Sequence, residues 1–599
     1  MGKQFVSFQP FWLVLAFLSV AFHVGLIFWG LAPNLVARPI HMALILPWVF
    51  VYAAQTQFQA ISGILLTVIG MSASLWVAWN HEHLGDQYGS LSGLFQFLIA
   101  ITLLGCVLEA ARRAIGWPLP AVAVLALLYS FFGIHIPGEF GHSGVPISSF
   151  LGTMTIAEGG IWGKLTAVSV GIVSVFVIFG AVLNAGEAGQ GFMNMAAMVA
   201  GHLKGGAAKV SIIASALFGS ISGSASANVA STGAITLPAM IKLGYPRYLA
   251  GAVEAVASSG GQIMPPLMGA GAFVMVELTG ISYTAIMSAA ILPALLYFFV
   301  VWIGINAHAH HLDLPAVDAT DRPDLRAVAI TSIFFMIPFA IFLWCMFIVG
   351  FTPQYSVCLA IGVGVLLLLV DRNLNVHLPA AGARITSALL VAAQQVALIA
   401  SIILCASIIV GVLSITGLGV KITSLILSGS GNMLWPALLL TALACLLLGM
   451  EVPTTAAYVI CVSVAGPALI QLGLEPLQAH LFVFWYALLS TITPPVCGAV
   501  FIASGMVAEN WLRVALTAMS LGIGLYLIPL GMIANPDLIR LDSTATGALV
   551  TFVQLAVGMG LISYALIAIK QLLVSTTMCT VGLSIIFLPR QLPFSIMDF

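Results

Sequence analysis

Two tracts of small polar residues cut through otherwise apolar sequence, SGSASAN at 222–228 and GMEVPTT at 449–455. Each is followed by a second break, SSGGQIMPP at 258–266 and LSTITPP at 489–495. Hydroxyls, amide oxygens and freed backbone carbonyls are hard neutral ligands. Without a carboxylate cage they suit a weakly held monovalent cation such as Na+ better than Zn2+, which favours nitrogen and sulfur. The candidate cation ligands are Ser222, Gly223, Ser224, Ser226 and Asn228 in the first tract, and Gly260 and Gly261 at its break. Their counterparts are Thr454 and Thr455 in the second tract, and Ser490, Thr491 and Thr493 at the second break. Asn228, Ser258, Ser259, Gln262, Glu451, Pro265 and Pro494 are candidate solute contacts. Small residues also serve plain close packing of helices. One isolated tract would favour that reading, and the recurrence favours a site.

Other polar residues divide differently. Glu254, Glu277 and Glu451 fall inside apolar segments, where an ionised carboxylate costs about 2.5–3.5 kcal/mol, so each is a functional candidate. Glu451 leads because it sits at a tract; for Glu254 and Glu277 a structural or interfacial role weighs equally. His308, His310 and His311 resemble a metal cluster, but they open a charged loop ending at Arg326 and read as solvated residues. Glu109 with Arg112 and Arg113 reads as an interfacial anchor. The eight cysteines show no CxxC or Cys/His spacing and read as small hydrophobes. No GxSxG elbow, HExxH motif or paired intramembrane Asp supports an intramembrane enzyme.

What must hold these tracts is a membrane protein. Of 599 residues 61% are hydrophobic and 6% charged, against about 25% charged in soluble proteins. The net charge of −1 excludes the basic stripe that nucleic acid requires. The first apolar run, 11–32, is too long for a signal-peptide core and reads as a spanning helix. A crossing needs about 20 apolar residues. On that basis crossings are expected at 10–32, 38–54, 58–79, 92–111, 118–133, 163–184, 248–277, 286–306, 327–349, 355–371, 393–414, 478–507, 513–534, 546–569 and 575–589. The expected fold is an all-α polytopic membrane protein of about 15 transmembrane helices. Segments 211–244 and 435–473, each cut by a polar tract, are expected as re-entrant hairpins, followed by broken helices 248–277 and 478–507.

The two hairpins are copies of one unit. PAMIKLG at 238–244 falls on PALIQLG at 467–473, and IMPPLMGA at 263–270 falls on ITPPVCGA at 492–499, both at an offset of 229. Five expected crossings lie between the hairpins, which inverts the second copy relative to the first, the pattern of secondary transporters. With the N-terminus cytoplasmic, the 18 basic residues divide 13 inside to 5 outside, which supports that orientation.

The stretches FGSISGSASANVASTGAITLPAM, GAVEAVASSGGQIMPPLMGAGAFVMVE, GMEVPTTAAYV and TPPVCGAVFIASG closely resemble the large membrane subunit of TRAP transporters, in the fused TAXI branch. The resemblance covers about 125–535. It implies a division into 1–135, similar to the small subunit, 136–540, the transport domain with both repeats, and 541–599, extra C-terminal helices. It also implies Na+-coupled uptake, elevator-type movement, an organic-acid solute, the bacterial inner membrane, and a separate periplasmic TAXI-type substrate-binding protein. Glu451 departs from the small residue expected there and leaves the charge of the second site open. A binding-protein-independent Na+/carboxylate symporter is the alternative, and the extra N-terminal helices argue against it.

Overall fold

The computed structural model describes residues 9–588 apart from 31, 372–374, 377, 450–453, 496 and 570. Among the described residues the secondary structure is helical, with one isolated bridge between Val370 and Val376. Twelve of the described helices are long and apolar enough to cross a membrane. Helices are the natural outcome here, because each satisfies its own backbone hydrogen bonds where no water can.

Most expected crossings coincide with helices. Gln9–Trp29, Gln57–Trp79, Gly93–Ile115, Lys164–Ala185 and Ala545–Ala568 each lie within a few residues of the reading from hydropathy. The expected span 38–54 is Asn34–Tyr52, an α-helix ending in a π-helical turn at Trp48–Tyr52. The expected span 513–534 is two helices, Trp511–Leu521 and Ile523–Ala534, meeting at Gly522. The expected span 393–414 belongs to a 39-residue helix, Leu378–Thr416. At about 1.5 Å per residue this helix is close to twice the hydrocarbon thickness. Hydropathy caught only its apolar centre, since its first two turns contain Gly382 and Arg384. The helices Ile147–Thr155, Ala188–Ala200 and Leu418–Gly429 were not anticipated.

Leu378–Thr416 is the spine of the molecule. It packs against Gln9–Trp29, Asn34–Pro47, Gly93–Ile115, Pro118–Phe132, Ser174–Ala185 and Thr454–Gln471. Arg384 anchors its start by donating to the Val370 carbonyl at 2.7 Å and to Glu187 at 3.2 Å. The N-terminal helices are clamped to each other by Arg113. Its guanidinium donates to the carbonyls of Phe50 and Gln59 at 3.1 and 2.9 Å and is paired with Glu109 at 2.8 Å. Glu109 also takes a bidentate contact from Arg112, so this trio is an anchor. Arg38 ties the N-terminal helices onward, donating to the Trp162 carbonyl and pairing with Glu158 at 3.2 Å.

The internal repeat is written in the element boundaries. The first hairpin is Gly206–Ser222 and Ala225–Lys242; its broken helix is Arg247–Gly261 and Gly269–Thr279. The second hairpin is Leu434–Leu448 and Thr454–Gln471; its broken helix is Pro476–Leu489 and Gly498–Val507. Residues 225 and 454, 242 and 471, 247 and 476, and 269 and 498 are each 229 apart. The cis bonds Pro265–Pro266 and Pro494–Pro495 keep the same offset. The C-terminal helices Ala545–Ala568 and Leu572–Phe587 lie outside both repeats and pack on Tyr283–His311 and Ile523–Ala534.

Candidate transport site

The first tip is built from glycine contacts. Gly223 ends the first arm in the left-handed region at φ 60, and a Cβ there would lie 2.5 Å from the Gly269 Cα. Gly269, at φ 64, opens the second half of the broken helix. Lower down, a Cβ on Gly219 would lie 2.4 Å from the Gly261 Cα, so the first arm and the first half-helix touch backbone to backbone. Ser224 caps the second arm, its Oγ accepting from the Ala227 amide at 3.3 Å. The Ser222 hydroxyl is buried and has no hydrogen-bond partner among the described residues.

Asn228 is wholly buried one turn into the second arm. Its Nδ2 donates to the Ser215 carbonyl at 2.9 Å and the Ser258 carbonyl at 3.4 Å, tying together both hairpin arms and the first half of the broken helix. Gly260 faces Tyr297 and Gly261 faces Gly219, so both are close-contact positions in the packing. Pro265 and Pro494 lie in the irregular links between half-helices.

At the second tip, Thr454 and Thr455 open the second arm. Glu451 lies outside the described residues. Gly449 abuts Ser490, whose Oγ would be 2.9 Å from a Cβ at that glycine. Thr491 donates to Ser259 Oγ at 2.9 Å, joining the two breaks. Thr493 is engaged by the Leu489 carbonyl and the Tyr526 hydroxyl, both at 2.7 Å.

Both tips open on one cavity of about 950 Å³. Ser222, Gly223, Ser224, Ser226, Gln262, Thr454, Thr455, Ser490 and Thr491 line it, joining nine of the residues singled out from sequence. Asn228, Ser258, Ser259, Gly260, Gly261 and Thr493 stand behind this wall and hold it in place. The opposite wall comes from other helices and was missed in the sequence. It includes Asn184, Gln190 and Gln395, with Phe176 and Leu398. Amides inside apolar helices were the available signal: such a group needs a partner or a wet cavity.

The electrostatics of the cavity come from backbone. Among the described residues no Asp, Glu, Lys, Arg or His lines it. Four helix starts do: Ala225, Gly269, Thr454 and Gly498 are first residues of their helices and all face the cavity. The first turn of a helix carries a partial positive charge from its N–H groups, which suits an anion.

Behind the first tip lies a buried carboxylate. Glu254 is fully enclosed, on Arg247–Gly261. Four hydroxyls surround it: Ser211 at 2.7 Å, Thr232 and Thr236 at 2.5 Å each, and Ser258 at 3.3 Å. Glu277 is only partly buried, on Gly269–Thr279, and does not line the cavity. His308, His310 and His311 end the helix Tyr283–His311, and no metal-like grouping occurs among the described residues.

Comparison with known proteins agrees with this architecture. Residues 102–546 match the family described as "Tripartite ATP-independent periplasmic transporter, DctM component". The chain is similar to the C4-dicarboxylate TRAP transporter large permease protein DctM of Pseudomonas aeruginosa, 25% identical over 57% of this chain and 79% of that protein. It is similar to the isethionate TRAP transporter permease protein DctMQ of Oleidesulfovibrio alaskensis, 24% identical over 72% of this chain and 68% of that protein. It is also similar to the 2,3-diketo-L-gulonate TRAP transporter large permease protein YiaN of Escherichia coli, 23% identical over 61% of this chain and 84% of that protein. These relatives are transporter permeases and not enzymes. A family match over most of the chain, on a multi-pass helical body with paired broken helices, leads to one conclusion: this chain is an inner-membrane permease of the TRAP transporter family, belonging to its DctM component.

Proposed function

We propose that this chain imports a small organic acid, driven by Na+ and supplied by a separate periplasmic substrate-binding protein of the TAXI type. The observation that carries the reading is the cavity where four helix starts converge and, among the described residues, no charged side chain lines the wall. An anion fits the helix starts, and hydroxyl and carbonyl oxygens at the tips fit a weakly bound monovalent cation. Co-binding neutralises both charges in a low-dielectric space, which gives a physical reason for coupling. Ser222, Ser224 and Ser226 with the carbonyl end of Gly206–Ser222 would hold Na+ at the first tip. Thr454, Thr455, Ser490 and Thr491 would do so at the second. The unpartnered Ser222 hydroxyl supports this assignment.

In this reading the two hairpins are re-entrant, enter from opposite faces, and carry the solute in an elevator-type movement against the wall formed by Leu378–Thr416. The N-terminus is cytoplasmic, and residues 1–135 act as a fused small subunit. The alignment with a fused DctMQ relative over 72% of this chain supports that fusion. Each inward charge gains about 2.3 kcal/mol per 100 mV, so two uncompensated Na+ charges give about 4.6 kcal/mol, over a thousandfold accumulation.

The test is reconstitution in liposomes with a TAXI-type binding protein, with uptake measured under Na+, K+ and proton gradients. Uptake that needs both Na+ and the partner is expected. Robust uptake by the permease alone would favour the binding-protein-independent symporter, and uptake driven by protons without Na+ would overturn the coupling.

A further inference from the structure

Glu254 lies behind the cavity described above and does not line it, and the repeat makes the residue and its hydroxyl shell conspicuous. Adding the offset of 229 carries Ser211, Thr232, Thr236, Glu254 and Ser258 onto Leu440, Cys461, Ala465, Val483 and Ala487. The second copy therefore builds the same three-helix packing without a carboxylate or hydroxyl at any of these five positions. A carboxylate and four hydroxyls are not needed to fold this unit. They have been placed in one copy at the cost of burying a potential charge.

We propose that Glu254 is a proton-binding site of the first repeat, taking up and releasing one proton through Thr232. The hydrogen inventory of the cluster supports both states. Thr232 Oγ1 has one hydrogen but several acceptors, Glu254 Oε1 at 2.5 Å, the Asn228 carbonyl at 2.8 Å and Asn228 Oδ1 at 3.3 Å. Thr236 Oγ1 likewise has Glu254 Oε2 at 2.5 Å and the Thr232 carbonyl at 3.0 Å. With Glu254 ionised, the hydroxyls turn toward it and donate. With Glu254 protonated by way of Thr232, the new Oε1–H donates to Thr232 Oγ1, whose hydrogen turns to the Asn228 carbonyl, while Thr236 goes on donating to Oε2. No group is left unsatisfied in either state, so the cost of switching is a rotation of hydroxyls.

A route for the proton is present. Thr232 lines the cavity and also contacts Glu254. Its hydroxyl can pass its hydrogen to Oε1 and accept one from cavity water, and the reverse order returns the proton.

No cation competes for the carboxylate. Among the described residues none of Lys, Arg or His hydrogen-bonds or pairs with Glu254. The helices packed on Arg247–Gly261 are Gly206–Ser222, Ala225–Lys242, Tyr283–His311, Gly498–Val507 and Trp511–Leu521. Their charged and titratable groups are engaged elsewhere or lie at helix ends. Lys209 lies over the Trp302 ring, Lys242 pairs with Asp321, and Arg513 lies over the Tyr248 ring. Arg247 reaches the Val507 carbonyl, Tyr297 donates to the Val256 carbonyl, and Tyr283 to the Pro266 carbonyl. His308, His310 and His311 end their helix.

The test needs neither solute nor gradient, so its failure is separate from failure of Na+ coupling. The purified full chain is titrated from about pH 5 to about pH 9, the range open to a buried carboxyl, while infrared absorption of the carboxylic-acid C=O stretch is recorded. The expected result is a band that is present at low pH, vanishes within the range, and is missing from Glu254→Gln. Ser211→Ala, which removes one donor to the ionised form, shifts the midpoint upward by about one unit; this variant keeps the test decisive should Glu254→Gln not fold. A Glu254-dependent band at no pH, a band that never titrates, or a midpoint that Ser211→Ala leaves unmoved would each overturn the proposal.

Discussion

Thr491 donates a hydrogen bond to Ser259 at 2.9 Å, and the two residues belong to different copies of the repeat, one at each helix break. By the offset of 229, Thr491 is the counterpart of Gln262, which lines the same cavity. The bond is thus a bridge between the two breaks, made by two hydroxyls that also lie within reach of the carbonyls of Leu488 and Ala255 on their own helices.

That bridge should couple the two copies. Thr491→Val and Ser259→Ala are each expected to destabilise the purified protein by about 1 kcal/mol, with the double variant costing no more than the larger single effect. Thermal unfolding of the four proteins in one detergent measures the cycle. Strict additivity would show that the contact carries no interaction energy.

The tips separate ligation from packing. Ser226→Ala and Thr455→Val remove hydroxyls without adding bulk, so they are expected to raise the Na+ concentration for half-maximal uptake several-fold while leaving expression unchanged. A packing role predicts tolerance of both and harm only from larger side chains, whatever the Na+ level. Uptake measured against Na+ for both single variants and the double variant decides between them.

Gly223 tests the tip geometry. Ala there would hold a left-handed conformation at a cost of about 1–2 kcal/mol and place its Cβ 2.5 Å from the Gly269 Cα. Uptake by Gly223→Ala should fall at saturating Na+, in protein that reaches the membrane in normal amount. Full activity would mean that the tip readily separates from Gly269.

The last helix is expected to matter for stability and not for transport. Asn535 and Gln554 donate to the Ile586 and Ile585 carbonyls, both at 2.8 Å, so removing Leu572–Phe587 strips partners from two side chains. Truncation before Leu572 should lower thermal stability by about 1–3 kcal/mol per orphaned group and leave uptake per inserted molecule intact. Complete loss of uptake in properly inserted protein would place this helix in the transport machinery.

Composition and hydropathy alone determined that this is a polytopic helical membrane protein, because 6% charged residues cannot cover a water-facing surface. The repeat was equally legible: proline and glycine mark helix ends chemically, so matching PAMIKLG with PALIQLG and IMPPLMGA with ITPPVCGA was enough to align elements whose boundaries keep the same offset. The tip residues were legible because hydroxyls in an apolar tract need a reason. Only the tertiary structure decided which of them face a cavity. Ser226 and Thr455 reach it, whereas Thr493 turns to Tyr526 and Asn228 to the Ser215 carbonyl. Linear sequence does not encode that difference, since one turn of helix moves a side chain from wall to interior. The far wall with Asn184 and Gln395, and the shell of four hydroxyls that encloses Glu254, join residues tens to hundreds of positions apart. Such contacts arise from which helix faces meet, and that is settled only when the whole chain packs.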